Sequence, residues 1–436
     1  MADVRGGAAR DLPGGAPGLG DAGSGGERGR GVSGLAVGDD LSLTCGAPGH
    51  GGFVIARHEG RAVFVRGALP GETVRARVTE VKKSYARAST VEVLEASPHR
   101  VPEACAAAAA GAGCCDLTFA DPAHQWEIKA QVLREQLQRV GGFDAEYFGP
   151  GWDSIVSPLA GGQSGWRHRA RLVAAADGRL GQHAHRSDAV VVAPCAQLPD
   201  DLTALAHSLR AEAGGEVALV LDDAGNSHAA VPARRGRPAQ VLAGAGHAEY
   251  RVGERSWNLP VGGFWQAHRD AATRYAQRVA AYVGRFGPGS GVAWDLYGGA
   301  GVFAGALVDE GYAVDVVETS GGAIAAGKQV FDGAPVRFHR GDAAARLKGL
   351  RTPSVVVLDP PRAGAGKAVM AAVTAAAPAV IVHVGCDPAA FARDIGAACD
   401  HGYRMVEMDV FDAFPGTHHM EAIAVLVPGV QDWRGR

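Results

Sequence analysis

The segments VVVLDPPRAGAGKAV (355–369) and VIVHVGCDPAAFARD (380–394) decide the fold. Each opens on a short, largely β-branched run, 355–358 and 380–384, that stops abruptly at a polar motif. Continuous apolar runs of this length, bounded by Gly and Pro, read as strands buried on both faces, the pattern of a parallel sheet. In such sheets ligands sit outside the carboxyl ends of the strands. Asp359, which opens Asp359-Pro360-Pro361-Arg362, and Cys386, in Gly385-Cys386-Asp387-Pro388, are therefore expected at one rim of one sheet. A cysteine there, outside any disulfide pattern, is a candidate nucleophile.

The α/β pattern starts upstream. VAWDLYGGAGVFAGAL (292–307) reads as strand, glycine turn and helix, and the glycines let the backbone approach a ligand closely. The next strand, AVDVVE (313–318), ends in Glu318, about 20 residues beyond the loop, where an acid typically binds ribose hydroxyls. Asp342, in His339-Arg340-Gly341-Asp342, supplies a third acidic rim position. From Gly298 the loop reads GGAGVF, which is not dinucleotide spacing, and no Walker Lys-Ser pair is present to hold a triphosphate. The set fits S-adenosylmethionine better than NAD or ATP.

The rest of the chain adds further units. Its 436 residues are enough for two or three domains, and a net charge of −3 gives no global argument for a nucleic-acid partner. No apolar run approaches a membrane span, the start lacks a signal peptide's apolar stretch, and the seven cysteines are irregularly spaced, so a reducing cytoplasm is expected. Residues 1–35 are Gly/Ala/Arg-rich without apolar periodicity and are expected to be disordered. Between 41 and 94, LSLTC, GFVIARH, RAVFVRG, ETVRARVTEV and STVEVLEA alternate with Gly/Pro turns, which predicts a small β-barrel. Its arginines and lysines suit RNA, although Glu72, Glu80, Glu92 and Glu95 offset much of the charge.

Cys105, Cys114 and Cys115 lie close in sequence, with Cys195 later; four cysteines can hold an iron–sulfur cluster or zinc. Against this, neighbouring side chains such as Cys114 and Cys115 rarely converge on one metal. HQWEIKAQVLREQLQRV (124–140) has helical apolar spacing and ends at Gly141-Gly142. Residues 155–250 read as mixed α/β. There Arg167, Arg169 and Arg171 alternate along one strand, a face that suits either a phosphate backbone or solvent. Downstream of Cys386, Phe414-Pro415 marks a turn and Glu421 precedes the strand AIAVLV, so Cys386 and Glu421 are expected on adjacent rim loops.

GFVIARHEGRAVFVRGALPGETVRARVTEVKKSYARA resembles a TRAM domain, an RNA-binding barrel appended to RNA-modifying enzymes. DLYGGAGVF, LDPPRAG, VGCDPAAFARD and FPGTHHMEAIAVL resemble, in this order, the cofactor loop, fourth motif, nucleophile motif and base motif of the RNA uracil-5-methyltransferases. The resemblance covers about residues 38–430. It implies methylation of carbon 5 of a uridine in tRNA or 23S rRNA, with Cys386 as nucleophile, Glu421 as base and Asp359 on the uracil edge. It also implies cofactor contacts at Gln266, Tyr297, Gly299, Glu318, Asp342 and Asp359. Cys105, Cys114, Cys115 and Cys195 would be the ligands of a [4Fe-4S] cluster, with Ala112 standing where the family carries the first cysteine of a C-x2-C pair. Gly298 replaces a frequent Cys, His268 a usual Asn and Gly416 a more usual His.

The expected architecture is α/β multidomain: a tail (1–35), a TRAM, OB-like barrel (36–97), a central α/β domain with the cysteine cluster (98–252), and a C-terminal Rossmann-like methyltransferase domain (253–436). The helix at 124–140 is expected to pack on the catalytic domain, and the protein to act on RNA as a monomer. Two other functions share many of these features: amino-group methylation of a purine, which needs neither Cys386 nor Glu421, and a non-catalytic RNA-binding or folding factor.

Overall fold

The catalytic sheet has eight strands, in the order Val336–Arg340, Tyr312–Glu318, Gly291–Leu296, Val355–Leu358, Val380–Gly385, Glu421–Pro428, Tyr403–Asp412 and Val156–Pro158. This computed structural model describes residues 34–234 and 237–429. The expected disordered tail, apart from 34 and 35, lies outside them. The first five strands run parallel, Glu421–Pro428 is antiparallel to both its neighbours, and Val156–Pro158 runs parallel to Tyr403–Asp412 at the edge. Strand order reverses between Gly291–Leu296 and Val355–Leu358, which opens a ligand crevice at their carboxyl ends.

Both faces are covered, which is why these strands are continuously apolar. Val355, Val357, Val380 and Val382 pack with Trp257, Tyr275, Val279 and Phe303 on one side. Val356, Leu358 and Ile381 pack with Leu133, Leu137, Phe391 and Ile395 on the other. Leu133 and Leu137 belong to the helix Pro122–Arg139, which therefore lies on the catalytic sheet. Asp121 caps that helix by accepting from His124 N at 2.9 Å, and Pro122 fills its first turn.

The barrel is a six-stranded sheet with Leu43, Val63, Val65 and Val74 at its centre. Its last strand, Tyr85–Glu95, starts earlier than the alternation from 89 suggested. Arg75 and Arg77 are paired with Asp40 and Glu92, so part of the basic face is neutralised. The central unit is an antiparallel six-stranded sheet beside the helix Asp200–Ser208. The hairpin His247–Val252 and Arg255–Pro260 contributes Tyr250 and Trp257 to the catalytic core. No helix among the described residues is long and apolar enough to cross a membrane.

Candidate active site

Strand register sets the site. Gly385 pairs with Ala422, so Cys386 and Glu421 flank one rung of the antiparallel pair at the sheet rim. Leu358 pairs with His383, which brings Asp359 to the same rim. Asp387 caps the helix Pro388–Asp400 by accepting from Ala390 N at 2.8 Å, so Cys386 sits on a tight strand-to-helix turn. Glu421 is buried and its Oε1 has no hydrogen-bond partner. An orphaned buried acceptor at a rim marks a place where a ligand is expected to bind.

The electrostatics are those of a desolvated acidic site beside one cation. Burial, with Asp359 nearby, pushes the Glu421 carboxyl well above its usual range, while Arg362 opposes the shift. Burial pushes Asp359 up to about 7. Cys386 is pushed up to about 12, first by burial and then by the two carboxylates, with Arg362 again opposing. Arg362 Nη2 lies 3.2 Å from His419 Nε2. Because a guanidinium only donates, that nitrogen must accept, in keeping with a His419 pKa lowered to about 3 by burial and neighbouring cations.

A second group of side chains surrounds the crevice at the strand reversal. Gln266, Tyr297, Gly299 and Asp359 line one cleft with Tyr275. Gln266 Nε2 lies 3.5 Å from Asp359 Oδ2, and the Tyr275 hydroxyl is buried without a partner. Tyr297 holds a left-handed φ of 61°, which a non-glycine residue adopts only when its surroundings impose it. Glu318 accepts from Gly299 N at 3.0 Å and from the amides of Thr319 and Ser320, so it shapes the loop from outside the cleft lining. Asp342 is exposed just beyond its strand, and it adds to burial in raising the Tyr297 pKa. At Gly298 an added Cβ would fall 2.6 Å from the Asp295 carboxylate, so glycine there goes with this packing. A concave rim with free backbone, an aromatic wall and an acid at its lip suits a nucleoside-bearing cofactor such as S-adenosylmethionine.

The four cysteines converge. The Sγ atoms of Cys105, Cys114, Cys115 and Cys195 all lie within 4.8 Å of one another, so the adjacent Cys114 and Cys115 do converge here, as neighbouring side chains rarely do. Residues 110–116 form turns and bends rather than a strand, and there successive side chains need not alternate. Ala112 is buried and pairs with Ala184, while Cys114 completes the thiol set. Arg167 is used nearby, donating to Gln197 Oε1 at 2.7 Å, and Gln197 in turn donates to the Cys114 carbonyl. Arg167 is thus an internal brace rather than part of a phosphate-facing row. His268 is buried, stacked on Trp166, and accepts from Asp270 N.

Several residues that hold the Glu421 loop carry no sequence signal of their own. Asp116 takes both the backbone N–H and the ring of His418. Gly416 O accepts from Asp116 N and Leu117 N, and Gly416 N donates to Gln125 Oε1 at 2.9 Å. Lys129 is fully buried against Asp412, which also accepts from Trp126 Nε1 at 2.8 Å. From the barrel, His50 Nε2 meets Asp387 at 3.1 Å.

Known proteins agree with this layout. The TRAM domain family matches residues 36–91, and the tRNA (Uracil-5-)-methyltransferase family matches 336–428. An uncharacterized RNA methyltransferase of Corynebacterium glutamicum is 42% identical, covering 90% of this chain and 98% of its own. A 23S rRNA (uracil(1939)-C(5))-methyltransferase of Alkalilimnicola ehrlichii is 31% identical, covering 88% and 95%. The Pyrococcus abyssi tRNA (uracil-54, C5)-methyltransferase, solved with S-adenosyl-L-homocysteine, shares the fold at a TM-score of 0.66 and 20% identity over 88% of this chain and 99% of its own. The chain therefore belongs to the S-adenosylmethionine-dependent RNA uracil-5-methyltransferases.

Proposed function

We propose that this enzyme methylates carbon 5 of a uridine in 23S rRNA through a covalent Cys386–uracil adduct. The carrying observation is the antiparallel register that sets Cys386 across from Glu421, which is buried with its Oε1 unpartnered. The ribosomal substrate is supported by the relatives named for it, which are more similar to this chain than the tRNA enzyme of known structure. Carbon 5 of uracil is a poor nucleophile. Cys386 first gives its thiol proton to solvent; the thiolate then adds to carbon 6, and the electron pair of the carbon 5–carbon 6 bond moves toward carbon 5 and oxygen 4. Asp359 binds the uracil edge, and Arg362 is the cation that favours the thiolate. S-adenosylmethionine, when bound, supplies the methyl group to carbon 5. Glu421 then takes the carbon 5 proton, and that C–H pair rebuilds the double bond as Cys386 leaves. A half-buried, uncharged Cys386 at rest limits side reactions before RNA arrives. Gln266, Tyr297, Gly299, Glu318 and Asp342 hold or shape the cofactor site.

The four thiols have the donor chemistry of a structural metal centre, [4Fe-4S] or zinc. Metal analysis and the visible spectrum of protein purified without oxygen distinguish the two, and Cys105→Ala should lose the metal. The decisive experiment offers labelled S-adenosylmethionine with 23S RNA and tRNA, separately, to wild type and Cys386→Ala. Label should appear as 5-methyluridine in 23S RNA and vanish in the variant. Label in tRNA moves the substrate, label in a purine overturns the chemistry, and full turnover by Cys386→Ala overturns the adduct.

A further inference from the structure

A groove of about 660 Å³ runs between the barrel and the turn joining strands Leu180–His183 and Val190–Val191. Its barrel wall carries Phe53, and the aromatic cluster behind it is Phe64 and Tyr85, all half-exposed on the outside of a small barrel whose own core is aliphatic. The Arg87 guanidinium lies 4.8 Å from the Phe53 ring centre and within 6 Å of the other two. Its Nη1 is buried without a hydrogen-bond partner. From the opposite wall, Arg186 reaches to 5.9 Å of the Phe53 ring. Arg186 is held at a φ of 53°, a conformation uncommon for any residue that carries a Cβ. Arg66 closes the groove, fixed to His185 Nδ1 at 2.9 Å and to the Cys115 carbonyl. Arg87 and Arg186 share one carboxylate, Glu80, at 3.1 and 3.6 Å, and Arg66 adds a third cation to the lining, so the groove is net positive. The turn is tied to the cysteine loop through Gly113 N to His183 O and His185 N to Gly111 O.

An aromatic face flanked by arginines is what an unstacked base and its phosphate require. The groove also adjoins the catalytic loop. A Cβ on Gly52, next to Phe53, would fall 2.7 Å from Asp116 Oδ2 and 3.1 Å from His418 Nδ1. We propose that this groove binds a second, unstacked nucleotide of the RNA, close in sequence to the target uridine, with its base against Phe53 and its phosphate held by Arg186 and Arg87. The proposal rests on the RNA-methylating function proposed above. It makes the barrel and the central sheet joint readers of the strand rather than separate units.

The test is an abasic scan. A single-stranded 23S RNA fragment spanning uridine 1939 is prepared intact and with one abasic site moved along each flank, and binding is read by fluorescence anisotropy. One flanking position should weaken wild-type binding by about tenfold. Phe53→Ala and Arg186→Ala should each weaken intact RNA by about as much and remove the penalty at that position. Phe53→Tyr, which keeps a stacking face, should bind as wild type. Arg186 sits on an exposed turn, so its truncation reads the groove without disturbing a core. Variants that bind intact RNA within about twofold of wild type, or keep the abasic penalty, overturn the groove. Methyl transfer is followed in the same tubes. If 5-methyluridine forms while the scan is flat, the groove alone is rejected. If no 5-methyluridine forms in any RNA, the function proposed above is rejected, and the binding scan still reports on the groove.

Discussion

Replacing Asp359 with Asn should stabilise the protein while abolishing its activity, and the gain should depend on pH in a defined way. The carboxyl has an ordinary value of 3.8 and is pushed up to about 7 by burial in the folded state. Below 3.8 both folded and unfolded chains hold the proton, and burial of the neutral acid costs little. As pH rises toward 7 the unfolded chain ionises and the folded one resists, so stability is lost through that window and levels off above it. Roughly 3 pH units at about 1.36 kcal/mol each set a ceiling of about 4 kcal/mol. Asp359 is partly accessible at the rim, so water screens it, and about 1–2 kcal/mol is the expected gain. Asn keeps an acceptor for Gln266 Nε2 and removes only the charge. Urea unfolding of both proteins at pH 4, 5.5, 7 and 8 measures this: the advantage of Asp359→Asn should grow up to about pH 7 and then hold. An advantage that ignores pH, or a variant less stable than wild type at pH 8, would refute the claim that the site stores this strain.

Three further outcomes are expected. Lys129→Met leaves the Asp412 charge buried without its cation, held only by Trp126 Nε1, and should cost about 3–5 kcal/mol in urea unfolding, most of it recovered by adding Asp412→Asn; a loss below about 1 kcal/mol would show that the ion pair contributes little. Gly416→Ala forces a side chain onto a φ of 75° with its Cβ 2.5 Å from Thr118 Cγ2, and should lower stability by roughly 1–3 kcal/mol, whereas Gly349→Ala, in open space, should be near neutral. With Cys386 pushed up to about 12 from 9.0, its thiolate fraction at pH 8 without RNA is roughly a thousandfold below that of an ordinary cysteine. Alkylation of Cys386, followed by peptide mass spectrometry, should rise about tenfold per pH unit from 7 to 9 and show no plateau.

The rim was readable in the sequence because each of its residues lies at one end of a strand. Asp359 and Cys386 follow apolar runs too uniform to be anything but doubly covered strands, and Glu421 opens the strand that pairs beside Cys386. Gln266, Tyr297 and Gly299 reached the same cleft as Asp359 for a related reason, since they sit on loops that leave the sheet and its neighbouring hairpin at one end. What supports the Glu421 loop was not readable. Asp116 meets His418 across 302 residues, and Lys129 meets Asp412 across 283, with no periodicity to announce either. Arg362 was visible inside its motif, but only the three-dimensional site shows it as the cation opposing two carboxylates around the thiol. The four cysteines were named together from the sequence, but their convergence was not readable, because 110–116 is a turning loop in which the adjacency of Cys114 and Cys115 does not fix where their side chains point.

The edge strand Val156–Pro158 and the helix Pro122–Arg139 complete a sheet whose other strands all come after the central unit. On the ribosome this imposes a wait. At about 5–20 residues per second, the 283 residues between Lys129 and Asp412 take roughly 15–60 s to appear. For that time the helix carries Leu133 and Leu137 with no sheet to cover them, while the barrel and the central sheet can already close. The nascent chain should thus engage chaperones that hold apolar helices, and synthesis cut short before residue 412 should leave a protein with two finished units and one sticky arm. Moving residues 122–158 to the carboxyl end in a permuted chain would shorten that wait and should raise the yield of folded enzyme made without chaperones.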